Sequence, residues 1–181
     1  MVHISDMEAS DPQLLSVWLL FLDPSPQFPS VIIKPFFPYE NVEEFNQDLL
    51  NAFHNSTGKA LSKSFFNEIE KYDFSWDAYW LFDSYAYSQI MSWLSADSMF
   101  ISAPNLSSPP AYNDLYAVES QNFQVLCDAF MSDSNSSSPN PDWTPLTEKH
   151  FNTDLGFVEF PDVWSKLTTP QRPLPCKVIT N

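Results

Sequence analysis

Three histidines and two cysteines are the residues of this chain with the widest chemical range, and their spacing sets the first limits on function. His3 lies at the start of the chain, where fraying is expected. His54 falls at the end of an apparent helix, where an imidazolium favours the dipole. His150 combined with Cys176 would supply a nucleophile and its base, but no spacing in the sequence brings the two together. Cys127 and Cys176 are too sparse for a secreted disulfide framework and lack the close pairs of a zinc site. A reduced, cytoplasmic setting is therefore expected, with a single bridge between the two left open.

Carboxylates among aromatic rings suggest a second chemistry. Asp73, Asp77 and Asp83 lie among Trp76, Tyr79, Trp80 and Tyr85, a mixture suited to a sugar-stacking cleft with an acid/base pair. Against this, aromatics at helical spacing are usually core, and Asp77 at a helix start has an ordinary dipole-stabilising role. Asp133-Ser-Asn135-Ser-Ser137 imitates a calcium loop but lacks the sixth-position glycine and the closing glutamate, so no metal is expected. Only Gly58 and Gly156 are present, where average usage of about 7% predicts roughly 13 glycines. Glycine-rich phosphate and dinucleotide loops are thereby excluded, and Arg172, the only arginine, leaves little for clamping phosphate. No cofactor is expected.

Charge is the strongest compositional signal. The 181 residues carry 23 Asp+Glu against 8 Lys+Arg, a formal net charge of -15. Residues 72 to 148 contain no Lys or Arg, yet hold Asp73, Asp77, Asp83, Asp97, Asp114, Glu119, Asp128, Asp133, Asp142 and Glu148. Solubility alone asks for a net charge of roughly 2 to 8 in a small domain. Such a field repels nucleic acid and anionic membranes and attracts basic surfaces. Arg and Lys receive carboxylate much as they receive phosphate. The expectation is a non-enzymatic, cytoplasmic inhibitor of a basic protein such as a nuclease or other nucleic-acid-binding protein, acting as a nucleic-acid mimic of the anti-defence or immunity type.

The candidate contact pool is Asp73, Asp77, Asp83, Asp97, Asp114, Glu119 and Asp128, with Trp143 and Trp164 as aromatic anchors outside the strongly periodic segments. Periodicity does not decide which of these share a surface. A small carbohydrate-active hydrolase or carbohydrate-binding protein is the alternative, and a viral or assembly structural protein a third. No direct contact with nucleic acid or membrane is expected. The first long apolar run, Leu14 to Leu22, is far short of the roughly 20 residues a membrane-spanning helix needs.

The elements that position these residues follow from prolines and periodicity. Leu14 to Phe37 holds two apolar runs around Asp23-Pro-Ser-Pro-Gln-Phe-Pro29 and reads as an antiparallel hairpin, with a helix over residues 12 to 22 the competing reading. Val42, Phe45, Leu49 and Phe53 follow the capping-box pattern Asn41 to Glu44 and predict a helix over 41 to 54. Leu61, Phe65, Ile69 and Tyr72 predict a second. Ser75 as cap would open a third, apolar nearly all round, through residue 95. A fourth is expected from Asn113 to Met131, and a short fifth from Thr144-Pro145 to Gly156. Phe157 to Phe160 and Lys177 to Thr180 are candidate strands, and residues 132 to 142 an exposed Ser/Asn/Pro loop. The whole predicts one α+β domain with a helical middle of four to five helices, an N-terminal β-hairpin and short C-terminal strands.

Overall fold

The computed structural model describes residues 1–23, 30–39, 43–54, 56, 60–74, 76–95, 112–131, 143–147, 149–155 and 174–179. Among them are six strands, β1 (Val2–Ile4), β2 (Leu14–Asp23), β3 (Ser30–Phe37), β4 (Trp80–Asp83), β5 (Phe151–Thr153) and β6 (Cys176–Val178). Four helices accompany them, α1 (Glu43–Phe53), α2 (Lys63–Glu70), α3 (Ser84–Ser95) and α4 (Tyr112–Met131). The strands form one mixed sheet in the order β5-β4-β1-β2-β3-β6. The expected hairpin is there: β2 pairs antiparallel with β3, from Val17 opposite Phe37 to Asp23 opposite Ser30. The fold is a mixed α+β one, with its N-terminal strands paired and its C-terminal strands short.

Alternation of side chains across the pleat divides the sheet between two helical layers. Val2, Ile4 and Leu81 face α1 and α2, packing with Phe45, Leu49, Phe53, Phe65 and Ile69. Trp80 and Phe82 face α3 and α4, packing with Tyr87, Ile90, Phe123, Leu126 and Phe130. A strand covered on both sides has no polar face to show, which is why Leu14-Leu-Ser-Val-Trp18 reads as an almost unbroken apolar run and is buried throughout. α1 matches the helix predicted for residues 41 to 54, with Phe45, Leu49 and Phe53 inward. α2 is capped by Ser62, whose side chain accepts the Phe65 amide. It ends at Glu70, short of Tyr72, which is 45% exposed.

Three sequence readings are corrected. Residues 76 to 95 are not one helix: Trp80–Asp83 is a strand and Ser84–Ser95 the helix that follows. A run apolar on all sides suits a buried strand as well as a buried helix, and periodicity does not separate the two. The break falls at Asp83, whose Oδ1 accepts the amides of Tyr85 at 3.1 Å and Ala86 at 3.0 Å, so Asp83 takes the N-terminal role expected of Asp77 and Ser75. The described residues between 144 and 155 do not form a fifth helix either. A single turn, with His150 N donating to Leu146 O at 3.0 Å, leads straight into β5. Finally, His3 is not frayed: β1 lies between β2 and β4 at the centre of the sheet.

The cysteines are joined. Cys127 on α4 and Cys176 on β6 form a disulfide that ties the helix to the sheet edge, with Cα atoms 5.0 Å apart. No helix among the described residues is long and apolar enough to cross a membrane. Phe157 to Phe160, the 132 to 142 loop and the calcium-like Asp133 to Ser137 lie outside the described residues.

Candidate functional site

Two features are built around β1. The first is a buried polar junction near the carboxyl ends of the parallel pair β1 and β4, the position where open α/β sheets gather ligands. His3 is 1% exposed and Glu119 fully buried. Pleat alternation turns His3 away from the α1–α2 layer and toward α4, where its Nδ1 donates to Glu119 Oε1 at 2.5 Å. Trp18 Nε1 donates to the other oxygen, Oε2, also at 2.5 Å. His3 Nε2 lies 3.1 Å from Ser84 Oγ at the start of α3. The ring is stacked on Tyr87, with centroids 4.7 Å apart. Each carboxylate oxygen thus has its own partner, the condition under which a buried acid is tolerated.

Beside it, Asp83 binds His150 Nδ1 at 2.7 Å through Oδ2, while Oδ1 caps α3. The Tyr85 ring lies against His150 at 4.7 Å. The Ser84–His3–Glu119 spacing has the form of a nucleophile, a base and the acid that orients it. The amides next to Ser84 that would receive a developing oxyanion are, however, already bonded to the carboxylate of Asp83. Neither the small apolar cavity over Tyr87 and Phe123 nor the groove described below is lined by Ser84. What the arrangement does is tie β1, β2, α3 and α4 together through polar contacts.

Burial makes Tyr87 the most perturbed phenol here, pushing it well above its usual value of 10, with the nearby Glu119 charge adding to the rise and the Asn122 amide at 3.4 Å opposing it. A raised phenol favours the folded state only while protonated, so its contribution is whole below about pH 10 and shrinks as pH climbs beyond it. In a spectrophotometric alkaline titration, the Tyr87 phenolate is expected to form only together with unfolding. Full ionisation of every tyrosine in a still-folded chain would contradict this.

The second feature is a groove of about 350 Å³ that begins where β1 begins. One wall is Trp18 to Leu22 of β2, the other Trp76 to Trp80, and Phe65, Phe66 and Ile69 of α2 close one side. Phe66 is stacked on Trp76, with centroids 5.3 Å apart. Asp77 is the only charged residue among its described lining.

Of the nine residues singled out from sequence, the seven that are described are dispersed. Asp73 is exposed after α2 with a left-handed backbone (φ 57°), and Asp77 is exposed at the groove. Asp114 and Asp128 lie on the outer face of α4, about 21 Å apart at 1.5 Å per residue. Asp128 accepts the Gln124 amide at 3.1 Å. Asp83 and Glu119 are buried and engaged internally, so they leave the pool of contact residues. Trp143 packs as a lid against Trp93 and Phe151. Asp97 and Trp164 lie outside the described residues.

The chemical pairings are revised too. Cys176 is in the disulfide and His150 is on Asp83, so the Cys–His pair is not formed. The sugar-cleft carboxylates do not share a pocket, Asp83 being buried under α3 while Asp77 stands alone in the groove. No group of three His, Cys, Asp or Glu among the described residues is placed to hold a metal ion. Sequence reasoning missed His3, Trp18 and Ser84. Its one available signal was that His3 sits inside an apolar triplet, Val2-His3-Ile4, the pattern of a strand with one polar member. The chain matches no known family model, and comparison with curated proteins and with solved structures returns no significant match.

Proposed function

We propose that this chain is a non-enzymatic acidic binding protein that occupies the basic surface of another protein. A partner whose own ligand is DNA or RNA is the class such a surface fits, because its Arg and Lys side chains already receive anions. The observation that carries the reading is how few of the carboxylates among the described residues meet a lysine there. With a net charge of -15, the ion pair between Lys71 and Glu68 at 2.6 Å is the single Lys–carboxylate contact among the described residues.

The contact surface proposed differs from the one read from sequence. Glu43, Glu44 and Asp48 are exposed on α1, and Glu70 and Asp73 are exposed at the end of the adjoining α2. Lys71 sits among them, its amine raised first by the bond to Glu68 and also by the charges of Glu68 and Asp48. One cation shared among several carboxylates leaves an excess that a basic partner would neutralise. The disulfide supports an oxidising compartment rather than the cytoplasm expected from cysteine sparsity.

The test is affinity capture from source lysate and from secreted material at low salt, eluted with a salt gradient. A basic, nucleic-acid-binding protein released as ionic strength rises is expected. The triple variant Glu43→Lys, Glu44→Lys, Asp48→Lys should lose it by slowing association at least about tenfold, since charged surface residues act chiefly on encounter. All three side chains are exposed, and because Glu43 and Glu44 stand in the first turn of α1, where each carboxylate favours the dipole by about 0.3–1 kcal/mol, the variant should stay folded with a melt only a few degrees lower. Undiminished capture by the folded variant would refute this contact surface.

A further inference from the structure

We propose that the sheet face running along β3 into the corner of α1 and α2 is a self-complementary surface, on which a second copy of this chain docks about a twofold axis. This goes beyond the binding reading above and does not depend on it.

The pleat sets which side chains share the face. Leu19 packs with the α1–α2 cluster, so Phe21, two positions on, lies on the same side of β2. Phe21 is opposite Ile32 on β3, and Ile32 is in register with Lys177 on β6, which makes a row about 10 Å wide across the sheet. Leu19 is opposite Lys34, the next position of this face along β3. Phe36 follows, about 13 Å from Ile32, and meets Phe45, Tyr72 and Phe74 edge-on. Lys34 Nζ lies 5.8 Å from the centroid of the Phe74 ring, so the row and the helical corner form one continuous surface.

This surface is apolar in the middle and oppositely charged at its ends. Phe21 is 43% exposed, Ile32 37% and Tyr72 45%, and large apolar side chains left open along one line mark a contact surface. Lys34 and Lys177 stand at the sheet end, and neither meets a carboxylate among the described residues. Asp23, the next position of this face along β2, is already engaged within the chain. At the other end Glu70 and Asp73 flank Tyr72, both exposed and neither paired with a lysine among the described residues. Lys71 between them is held by Glu68 at 2.6 Å.

The order basic, apolar, acidic selects the occupant. Turning a second copy by half a revolution about an axis near Phe74 lays the basic end of each chain on the acidic end of the other. Apolar middle meets apolar middle. That is the condition for an isologous interface, in which one patch supplies both halves of two identical sets of contacts. Lys34 and Lys177 of each copy face Glu70 and Asp73 of the other, with Phe21 and Ile32 against Tyr72. Exposed ion pairs contribute little each and the strip is short, so the dimer belongs to the weak class, with a Kd of about 1–100 μM. Glu43, Glu44 and Asp48 take no part, which lets dimerisation and partner binding be lost separately.

The experiment is sedimentation velocity of the full chain at about 0.15 M salt, where a Debye length of about 8 Å screens the repulsion between two chains of net charge -15. The mass is expected to rise with concentration from 20.8 kDa toward twice that value and no further, because a twofold contact closes. Lys177→Glu alone and Glu70→Lys alone should each weaken association at least about tenfold, by setting like charges against one another. Mixing the two variants should restore it to within about threefold of wild type, since both contacts of the mixed dimer are again of opposite sign. Recovery on mixing two folded chains does not arise from a folding defect in either. Phe21→Thr with Ile32→Thr keeps strand-forming residues and should also weaken the dimer at least about tenfold. A chain that stays monomeric at about 500 μM, above the expected Kd range, overturns the proposal, as does growth beyond the dimer. Single variants that associate like wild type, or a mixture that stays apart, overturn it as well.

Discussion

Replacing Glu119 by alanine is expected to lower the free energy of unfolding by about 3–5 kcal/mol, the range for removing one member of a buried polar pair. The side chain is fully buried and each oxygen has its own donor, His3 Nδ1 on β1 and Trp18 Nε1 on β2. Truncation leaves both donors without an acceptor in a space water does not readily reach, at about 1–3 kcal/mol each, and adds a cavity. Glu119→Gln retains one acceptor oxygen but turns an amide toward the second donor, so it should fall between wild type and alanine. A double-mutant cycle with Trp18→Phe isolates the indole bond, with a coupling of about 1 kcal/mol or more expected. Urea unfolding measures all of these. A loss under about 1 kcal/mol for Glu119→Ala would show that the junction carries little of the stability.

That the largest expected effect falls on Glu119 shows how far charge counting along a chain reaches. In sequence it is one more carboxylate in a stretch without cations; in space it is the acceptor around which three elements meet. Helical phase would place it inward, since Leu115, Glu119, Asn122 and Leu126 share one face of α4, all of them buried. What the phase does not contain is a reason for a carboxylate there. The reason is His3, more than a hundred positions away, and a pairing of that range leaves no local periodicity. The hairpin, α1, α2 and α4 were legible because each is set by neighbours: apolar runs around turn-forming prolines, helical apolar spacing, a capping-box pattern.

β4 was not legible, for the opposite reason. Trp80-Leu-Phe82 is flanked on both faces by helices, so the polar positions that would reveal a period of two are absent. The groove was visible only as composition. Trp76, Asp77 and Tyr79 were recognised as aromatics around an acid, but that they form a wall opposite Trp18 to Leu22 depends on contacts between segments more than fifty positions apart.

Opening the disulfide is the second large effect expected. Cys127 and Cys176 are separated by 49 residues, and closing a loop of that size reduces the entropy of the unfolded chain by an amount worth about 4 kcal/mol at room temperature. The double variant Cys127→Ser, Cys176→Ser, or the wild-type chain in excess dithiothreitol, should therefore melt roughly 8–16 °C lower, at 2–4 °C per kcal/mol for a chain of this size. The loss should be cooperative, because the bond joins α4 to β6 and both sulfurs lie in the same cluster as Trp18, Tyr87 and Phe130. Cys127 is fully buried, so reduction of the native state should be slow and should track global opening rather than reagent concentration. Thermal melts with and without reductant, with free thiols counted before and after denaturation, decide the matter. Two thiols that react freely in the native protein, or a melting temperature unmoved by reduction, would show that the link between α4 and the sheet edge is not a constraint on the fold.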